Sequence, residues 1–421
     1  MTDPILEPLN ARDFYLGRQP ILDRFQGLFG YELLFRGAAS GPANIPNDLT
    51  ATAAVIAHVA QLGLDKVIGE SLGFVNVDGE VLKSDIFNFL PKENIVLEVV
   101  ESTRASDEVI ARMQELAGHG FRFALDDVVA DSPDVQRFLP LIDYVKLDIA
   151  DVAPATLREL APRFRKDHKK LLAEKVETLD EYKSCLELGF DYFQGYYFAR
   201  PVVMSGKKLS PSQLAIVELM NLITSDAEHA DIERAVKGDA SLSLNLLRLV
   251  NSPAMGAVKP IASLSQALMV LGRRQLQRWL QIMLYAEPNR GNGGGNPLLA
   301  LATTRGRLLE LLSNRLRPHD RERADMAFTV GIMSLMDALF GIPMNEIITQ
   351  IPVNQDVARA LIERDGFLGN LLYLTECVER IEEREEDLLP TLRGLAISTD
   401  ELVHLEMAAF EWSDRVTRST H

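Results

Sequence analysis

The stretch FRFALDD, residues 121–127, is a short apolar run that ends in two aspartates. Other stretches in the first half of the chain have the same form, in which a polar residue interrupts or ends an apolar or aromatic run. They are GYELLFR (30–36), FVN (74–76), IVLEVVE (95–101), DYVKLD (143–148), LLAEKVE (171–177) and FDYFQG (190–195). Short runs rich in β-branched and aromatic residues are typical of β-strands.

Strand and helix patterns alternate from about Phe14 to Pro201. The strand candidates are 14–17, 28–36, 72–77, 94–100, 121–125, 142–147, 170–173 and 190–194. Amphipathic helical patterns lie between most of them, at 50–63, 105–118, 153–167 and 178–188. The alternation predicts a parallel sheet, and this number of units suits a (β/α)8-type barrel.

Polar residues lie at or near the carboxyl ends of the predicted strands, which form the active-site face of such a barrel. They are Glu32, Arg36, Asn76, Glu98, Glu101, Asp126, Asp127, Lys146, Asp148, Glu174, Glu177 and Gln194. Carboxylates brought so close repel one another, and cations are needed between them if all are to stay ionised. The set therefore predicts a site for Mg²⁺ or Mn²⁺, and a pair of such ions can clamp the oxygens of a phosphoryl displacement.

Each of these residues taken alone also has a structural interpretation. A single glutamate at a strand end is usually solvated, Asp126 and Asp127 could cap a helix, and Lys146 could be an ordinary ion-pair partner. The metal-site interpretation depends on the whole set, because seven strand ends show the same behaviour in order along the chain.

Strand patterns end after Pro201, and a series of helical patterns follows. Leucine and valine recur at helical spacing in 239–251 and 262–284, and 211–224 begins the series. We therefore predict a barrel domain over 1–203, an all-α domain over 204–400, and one further helix with a frayed end over 401–421. The stretch GNGGGN (291–296) predicts a mobile surface loop.

Composition limits the possible functions. The net charge of −16, from 44 basic and 60 acidic residues, opposes binding to nucleic-acid polymers or anionic membranes. No apolar run is long enough to span a membrane and no secretory signal begins the chain, so a cytoplasmic protein is expected. Cys185 and Cys377 predict two free thiols rather than a disulfide framework or a cysteine zinc motif.

With these motifs in order, residues 14–203 resemble the EAL family of cyclic di-GMP phosphodiesterases. YELLFR contains the characteristic glutamate, Glu32, with Leu33 in place of the alanine of the family name. LEVVES, the Asp126–Asp127 pair, KLD, AEKVET and FQGYYFARP correspond to the other family motifs. The resemblance implies hydrolysis of cyclic di-GMP to linear pGpG at a two-metal site containing Mg²⁺ or Mn²⁺.

The resemblance also implies a role for each matching residue. Metal ligands would be Glu32, Asn76, Glu98, Asp126 and Asp127, with Asp126 bridging. Lys146 would lie beside the attacking water, and Glu174 would be the general base. Substrate contacts would come from Gln19, Arg36, Asp148, Glu177 and Gln194, while Glu101 would anchor a loop.

Two segments depart from the family pattern. The family usually has FGTG after the paired aspartates, where this chain has Val128-Val129-Ala130-Asp131. That loop normally helps to place the second metal and mediates dimerisation, so a homodimer is a possibility rather than an expectation. Lys175 replaces the glycine of the AEGVET-type motif. In the segment from Val128 to Asp131, both glycines of FGTG are replaced, so this loop lacks the backbone freedom that glycine gives.

The second half resembles the HDOD domain, a relative of HD-type phosphohydrolases that lacks their His-Asp metal pair. DASLSLNLLRLVNSPAMG (239–256) and IASLSQALMVLGRRQL (261–276) carry this resemblance. GIMSLMD (331–337) lies where an HD enzyme would have its His-Asp pair, while His319-Asp320 lies in a polar setting that favours a solvated loop. Arg273 and Arg274 could contact a phosphate or a partner, although a surface role without a ligand is favoured.

Three functions follow from these patterns. The first is an active cyclic di-GMP phosphodiesterase whose HDOD domain regulates it or docks a protein partner. The second is a receptor that binds the dinucleotide without cleaving it and signals through a partner of the HDOD domain. The third, a scaffold that has lost its nucleotide function, is disfavoured because every clustered carboxylate of the set is present.

Overall fold

The computed structural model describes residues 14–37, 67–84, 87, 92–198, 211–251, 261, 263–285, 296–351 and 353–419. Eight strands in the first half close into one barrel in chain order. They are β1 (Phe14–Asp23), β2 (Leu28–Gly37), β3 (Leu72–Val77), β4 (Ile95–Val99), β5 (Arg122–Leu125), β6 (Tyr144–Asp148), β7 (Lys170–Glu174) and β8 (Tyr192–Gln194). The predicted (β/α)8-type barrel is confirmed.

The expectation of a wholly parallel sheet is wrong at the first strand. β1 pairs antiparallel with both β2 and β8. From β2 to β8, each strand pairs parallel with the next. The physical reason is the short connection 24–27, a turn in which Gly27 N–H and Phe25 N–H both donate to Asp23 Oδ1. A four-residue turn can join only antiparallel neighbours, because a parallel crossover needs a dozen or more residues.

Helices cover the barrel between its strands. They are α1 (Gly79–Lys83), α2 (Asp107–Gly118), α3 (Pro133–Phe138), α4 (Pro154–Lys166) and α5 (Leu179–Leu188), with a 3₁₀ turn at Leu139–Leu141. Side-chain caps fix where several of them begin: Ser106 and Ser132 accept backbone N–H groups, and Thr178 forms a reciprocal capping box with Glu181. The helix predicted at 50–63 lies outside the described residues.

The second half is helical throughout its described part, which confirms the predicted all-α region. Its helices are α6 (Pro211–Thr224), α7 (His229–Lys237), α8 (Ala240–Val250), α9 (Leu264–Met283), α10 (Pro297–Leu316), α11 (Arg321–Met333), α12 (Met336–Phe340), α13 (Met344–Gln350), α14 (Gln355–Glu363), α15 (Gly366–Glu379), α16 (Ile381–Leu395) and α17 (Thr399–Ser419). Of the predicted loop 291–296, only Asn296 is described, and it caps α10.

The last helix joins the two halves. Val403, Met407 and Phe410 of α17 belong to the same buried apolar cluster as the outer residues of the barrel. Arg18 of β1 lies over the Phe410 ring at 3.8 Å and pairs with Asp414 at 3.7 Å. Because the β1–β2 hairpin has no crossover helix of its own, α17 supplies cover for this part of the sheet.

Two further expectations can be compared with the structure. Within the described ranges, no helix is both long enough and apolar enough to cross a membrane. Cys185 and Cys377 are both buried free thiols.

Candidate active site at the barrel mouth

The alternation of side chains along the strands places the predicted site directly above an apolar layer. Six buried residues inside the barrel form this layer: Ile21, Phe74, Val96, Ala124, Tyr144 and Leu172. Asn76, Glu98, Asp126, Lys146 and Glu174 each follow one of them by two residues, as Gln194 follows Tyr192. Residues two apart on a strand point to the same face, so the next layer upward is polar.

Lys146 lies at the centre of this polar layer. We call Lys146 and the carboxyl residues around it the acidic mouth; these residues are Glu32, Glu98, Asp126, Asp127 and Glu174. Its side chain is 0% exposed. The ammonium Nζ lies 2.7 Å from Glu174 Oε1, 2.9 Å from Glu98 Oε1, 3.0 Å from Asp126 Oδ1 and 3.2 Å from Glu32 Oε2. Four strands and the end of a fifth therefore direct charged groups at one point.

Glu32 is held by a second, amide network. Asn76 Nδ2 donates to Glu32 Oε1 at 3.0 Å, and Gln194 Nε2 donates to Glu32 Oε2 at 2.5 Å. Gln194 Nε2 also donates to Gln19 Oε1 at 2.6 Å. Gln19 lies directly opposite Glu32 in the antiparallel β1–β2 ladder, which explains how a residue of the reversed strand reaches the mouth. Glu32 itself is in the middle of β2 rather than at its end.

One ammonium does not balance the carboxylates around it. Burial, and then the neighbouring carboxylates, raise the pKa of Glu98 well above its ordinary value, and burial does the same for Glu174. Burial also raises the pKa of Asp126. Burial would lower the pKa of Lys146, but the four carboxylates outweigh it and raise that pKa well above its ordinary value. For Glu32, Lys146 and the amide hydrogen bonds outweigh burial, so its pKa is lowered.

The donor set fits a divalent cation. Oxygens of Asp126, Asp127 and Glu174 all lie within 4.8 Å of one another. Glu98 Oε2 and Glu174 Oε2 are buried and have no hydrogen-bond partner in the part of the chain that the structure describes. Carboxylate oxygens of this kind are the ligands that Mg²⁺ and Mn²⁺ prefer.

Glu101 lies at the rim of the mouth, next to Asp127. Burial, and after it the Glu101 carboxylate, raise the pKa of Asp127. Asp127 has a φ of +44°, so the backbone turns in the left-handed region between the two aspartates and the following loop. This turn lets adjacent residues both face the mouth, where each is partly buried.

The altered loop after Asp127 is packed against the barrel. Val128 is buried in the barrel's apolar cluster, and its N–H donates to Lys146 O at 3.1 Å. Asp131 pairs with Arg163 of α4 at 3.2 Å. The loop is therefore fixed at both ends by contacts that its own residues make, without the glycines of the family pattern.

Lys175 is a residue whose contact the sequence did not predict. It keeps a left-handed backbone, with φ +53°, at the position where the family has glycine. Its ammonium contacts Asp148 Oδ2 and lies 3.9 Å from Asp151 Oδ2. A lysine one residue after Glu174 was a visible departure, but only the folded loops show which carboxylate it reaches.

The other predicted residues are separate from the Lys146 cluster. Asp148 ends β6, where its Oδ1 accepts the N–H of Ala150 at 2.7 Å. Glu177 lies in the loop before α5, where its N–H donates to Glu181 Oε2. The side chain of Arg36, and with it the expected phosphate contact, lies outside the part of the chain that the structure describes.

The helical half has a buried polar centre of a different kind. Arg305 donates to both oxygens of Glu379, at 2.8 Å and 2.6 Å, and to Ser334 Oγ at 2.9 Å. Ser334 belongs to GIMSLMD, the stretch that stands where an HD enzyme would have its metal pair. Among the described residues of this half, no group of three or more acidic, histidine or cysteine side chains could hold a metal ion.

Comparison with protein families agrees with this division. Residues 4–201 match the model of the EAL domain, and residues 209–340 match that of the HDOD domain. The chain is 32% identical over 378 residues to the cyclic di-GMP phosphodiesterase CdgJ of Vibrio cholerae, covering 87% of this chain and 85% of CdgJ. This chain belongs to the EAL family, in the form joined to an HDOD domain.

Other matches cover nearly the whole chain or less than half of it. YuxH of Bacillus subtilis, described as uncharacterized, is 29% identical over 408 residues, 94% of this EAL–HDOD chain and 97% of YuxH. An EAL domain protein of Listeria monocytogenes matches 45% of this chain and 88% of its own, with a TM-score of 0.37 and 21% identity. A manganese and cyclic di-GMP complex of Klebsiella pneumoniae BlrP1 matches 45% of this chain and 56% of its own, also at 0.37 and 21%.

Proposed function

We propose that this EAL–HDOD protein hydrolyses cyclic di-GMP to linear pGpG at the acidic mouth. The observation that carries the proposal is the single buried ammonium of Lys146 among four carboxylates, two of which keep an unpaired buried oxygen. A cluster with this excess of negative charge is stabilised by added cations, and cations are what a phosphodiester also requires. The relative named a cyclic di-GMP phosphodiesterase supports the choice of substrate.

The residues divide into cation ligands and proton-transfer groups. Glu32, Asn76, Glu98, Asp126 and Asp127 would hold two ions, Mg²⁺ or Mn²⁺. Bound there, the ions supply positive charge that offsets the charge of the phosphodiester and stabilises the charge that develops on its oxygens.

Glu174 is suited to accept the proton of the attacking water. Its Oε1 is held by Lys146 at 2.7 Å, which fixes the carboxylate, while Oε2 is free to take the proton. The oxygen of water forms a bond to phosphorus as one ester P–O bond of the ring breaks, and the leaving oxygen takes up a proton. Lys146 keeps positive charge beside the attacked group throughout, since its pKa is raised far above neutral.

Arg36, Gln19, Asp148, Glu177 and Gln194 are proposed to position the dinucleotide, with Glu101 anchoring the loop at Asp127. The HDOD half is proposed to dock a protein partner. We also propose domain bounds of 1–203 for the barrel, 204–400 for the helical domain and 401–421 for the last helix. In the family, the loop that corresponds to Val128–Asp131 mediates dimerisation, and a homodimer of this protein is a further proposal.

A second candidate function is a receptor that binds cyclic di-GMP without turnover. It is favoured by the contact of Lys175 with Asp148, which occupies a carboxylate proposed to contact substrate. In this case the dinucleotide would bind in the presence of a metal chelator, and no pGpG would form.

The deciding experiment measures pGpG by chromatography with purified full-length protein, cyclic di-GMP and Mg²⁺ or Mn²⁺. We expect turnover by the wild type and a loss of at least roughly 100-fold in Glu174→Gln, the lower range for removing a general base. Asp126→Asn is expected to abolish turnover as well.

Glu187→Gln is the matched control, because Glu187 is an exposed carboxylate near the carboxyl end of α5, the end opposite the loop that follows β7. Its rate should equal that of the wild type. If the wild type binds the dinucleotide by calorimetry but forms no pGpG, the receptor function is correct and the enzymatic one is not.

A further inference from the structure

A cavity of about 420 Å³ lies within the helical half, far in the chain from the acidic mouth. Its walls come from α6, α9, α11 and the start of α14. This volume is in the range of about 300–1,000 Å³ that small-molecule sites usually occupy.

The inner wall of the cavity is apolar. Met220 and Ile223 of α6, Met333 of α11 and Val357 of α14 line it, and all four are buried. Methionine side chains adapt easily to the shape of a ligand. This wall therefore suits an apolar body, such as an aromatic ring system.

One buried amide lies in this apolar wall. Gln281 of α9 is 1% exposed, and its Nε2 donates weakly to Thr329 Oγ1 at 3.3 Å. Its Oε1 has no hydrogen-bond partner within the described residues. An unsatisfied buried acceptor costs about 1–3 kcal/mol, so a ligand that donates an N–H or O–H group here would gain a contact that the protein alone does not make.

Arginines form the rim. The helix α9 is interrupted at Gly272, with φ +71° and ψ 161°, and its second segment starts at Arg273 and Arg274, which both line the cavity. Arg273 pairs with the exposed Asp226 and donates to Ala227 O. Arg274 is about half-exposed and shares Asp325 with Arg278, at 3.2 Å and 3.0 Å. Each guanidinium has five N–H donors, and those left over from these contacts, at the start of a helical segment, favour an anionic group at the entrance.

We propose that this cavity is a second ligand site, specific for an amphipathic organic anion. The apolar body of the ligand packs on Met220, Ile223, Met333 and Val357, and a donor group faces Gln281. The anionic group binds Arg273 and Arg274. The site is separate from the acidic mouth, so its occupation and the turnover of cyclic di-GMP can be measured independently.

The test uses two fluorescent probes on the full-length protein. Anilinonaphthalene sulfonate has an aromatic body, one N–H group and a sulfonate, while phenylnaphthylamine has the same rings and N–H group without the sulfonate. We expect Arg273→Gln/Arg274→Gln to weaken binding of the sulfonate probe at least roughly tenfold, the effect of losing a charge-assisted hydrogen bond. Binding of the uncharged probe should change less than about twofold.

Thr329→Phe is expected to abolish binding of both probes, because the ring fills the cavity. Arg393→Gln, a change at an exposed arginine of α16, should leave both affinities unchanged. Equal affinity of the wild type and the double arginine variant for the sulfonate probe would overturn the proposal, as would retention of both probes by Thr329→Phe. If Thr329→Phe does not fold, the arginine variant alone decides, since its changed side chains are exposed.

Discussion

Two buried charge clusters, one in each half of the molecule, differ in their balance. In the helical half, the Arg305 guanidinium faces one carboxylate, Glu379, and Ser334 takes up a further donor. In the barrel, the single ammonium of Lys146 faces four carboxylates, and oxygens of Glu98 and Glu174 remain without a hydrogen bond in the described structure. Both clusters consist of ordinary ion pairs at ordinary distances.

The difference separates a structural pair from a functional site. A buried arginine with a bidentate carboxylate is neutral as a unit and needs nothing further from solvent. A buried lysine among four carboxylates carries a large negative excess, which costs stability unless cations or protons compensate it. Excess charge kept inside a fold therefore indicates a site that takes up a cation.

The same substitution, glutamate to glutamine, should change stability differently in the two clusters. Glu379→Gln should lower the free energy of unfolding of the helical half by about 3–5 kcal/mol, the cost of leaving a buried charge without its partner. Thermal unfolding followed by circular dichroism in chelator measures this loss. Addition of Arg305→Met to Glu379→Gln should recover part of it.

Glu98→Gln is the counterpart in the barrel. Because it removes one of four carboxylates around a single ammonium, we expect no loss of stability in chelator, and a gain of about 1 kcal/mol. A loss as large as that of Glu379→Gln would show that the two clusters are equally balanced, contrary to our interpretation.

Added metal should stabilise the protein by an amount somewhat smaller than the loss expected for Glu379→Gln. At a concentration of Mg²⁺ or Mn²⁺ about 100-fold above its Kd, the wild type should gain roughly 2.7 kcal/mol in stability, because only the folded state holds the ligands together. Calorimetric titration gives the Kd, and the unfolding temperature with metal or with chelator gives the gain.

Two variants control this measurement. Glu98→Gln should lose most of the stabilisation by metal, whereas Glu187→Gln, changed at an exposed position, should keep it. An unfolding temperature that is the same with metal and with chelator would exclude a cation site at the mouth.

The smallest expected effect is a pH dependence at the contact between the two halves. Glu406 of α17 is buried near Glu379 and Arg18, and burial, with Glu379 adding to it, raises its pKa well above the ordinary value. A carboxyl group with a raised pKa in the folded state stays protonated there while the unfolded chain ionises. Stability is therefore lost as pH rises from about 4.3, the unfolded value, up through the folded pKa.

Glu406→Gln should flatten this decline, with a gain on the order of 1 kcal/mol at neutral pH and none below about pH 4. Unfolding temperatures across a pH series measure the difference between the variant and the wild type. A parallel pH series for Glu411→Gln, an exposed position on the same helix, should match the wild type. Identical slopes for Glu406→Gln and the wild type would contradict the assignment.

The strands and most of the mouth could be predicted because both depend on local order. β3 was predicted at its observed bounds, and β4 to β8 to within two residues at either end. From β3 to β7, each strand brings an apolar residue and, two positions later, a polar one to the same face of the barrel. The grouping of Asn76, Glu98, Asp126, Lys146 and Glu174 therefore follows from strand period once the barrel is assumed.

Contacts between separate loops and between the two halves could not be predicted. The sequence places Lys175 next to Glu174, but its ammonium reaches Asp148 on the neighbouring strand because the left-handed backbone at Lys175 turns it there. Likewise, the patterns predict α17 as a helix but do not predict that Arg18 of β1 contacts Phe410 and Asp414 on it.

Hydrophobic period and residue type are local properties, and they suffice to predict the barrel, the helical half and the residues of the acidic mouth, although not the direction of β1. The charge balance requires the folded structure, because the number of carboxylates that one ammonium meets depends on side chains from different strands. The packing of the last helix on the barrel, and of four helices around the unsatisfied amide of Gln281, likewise depends on the tertiary structure. These features depend on contacts between residues far apart in the chain, so local sequence patterns do not predict them.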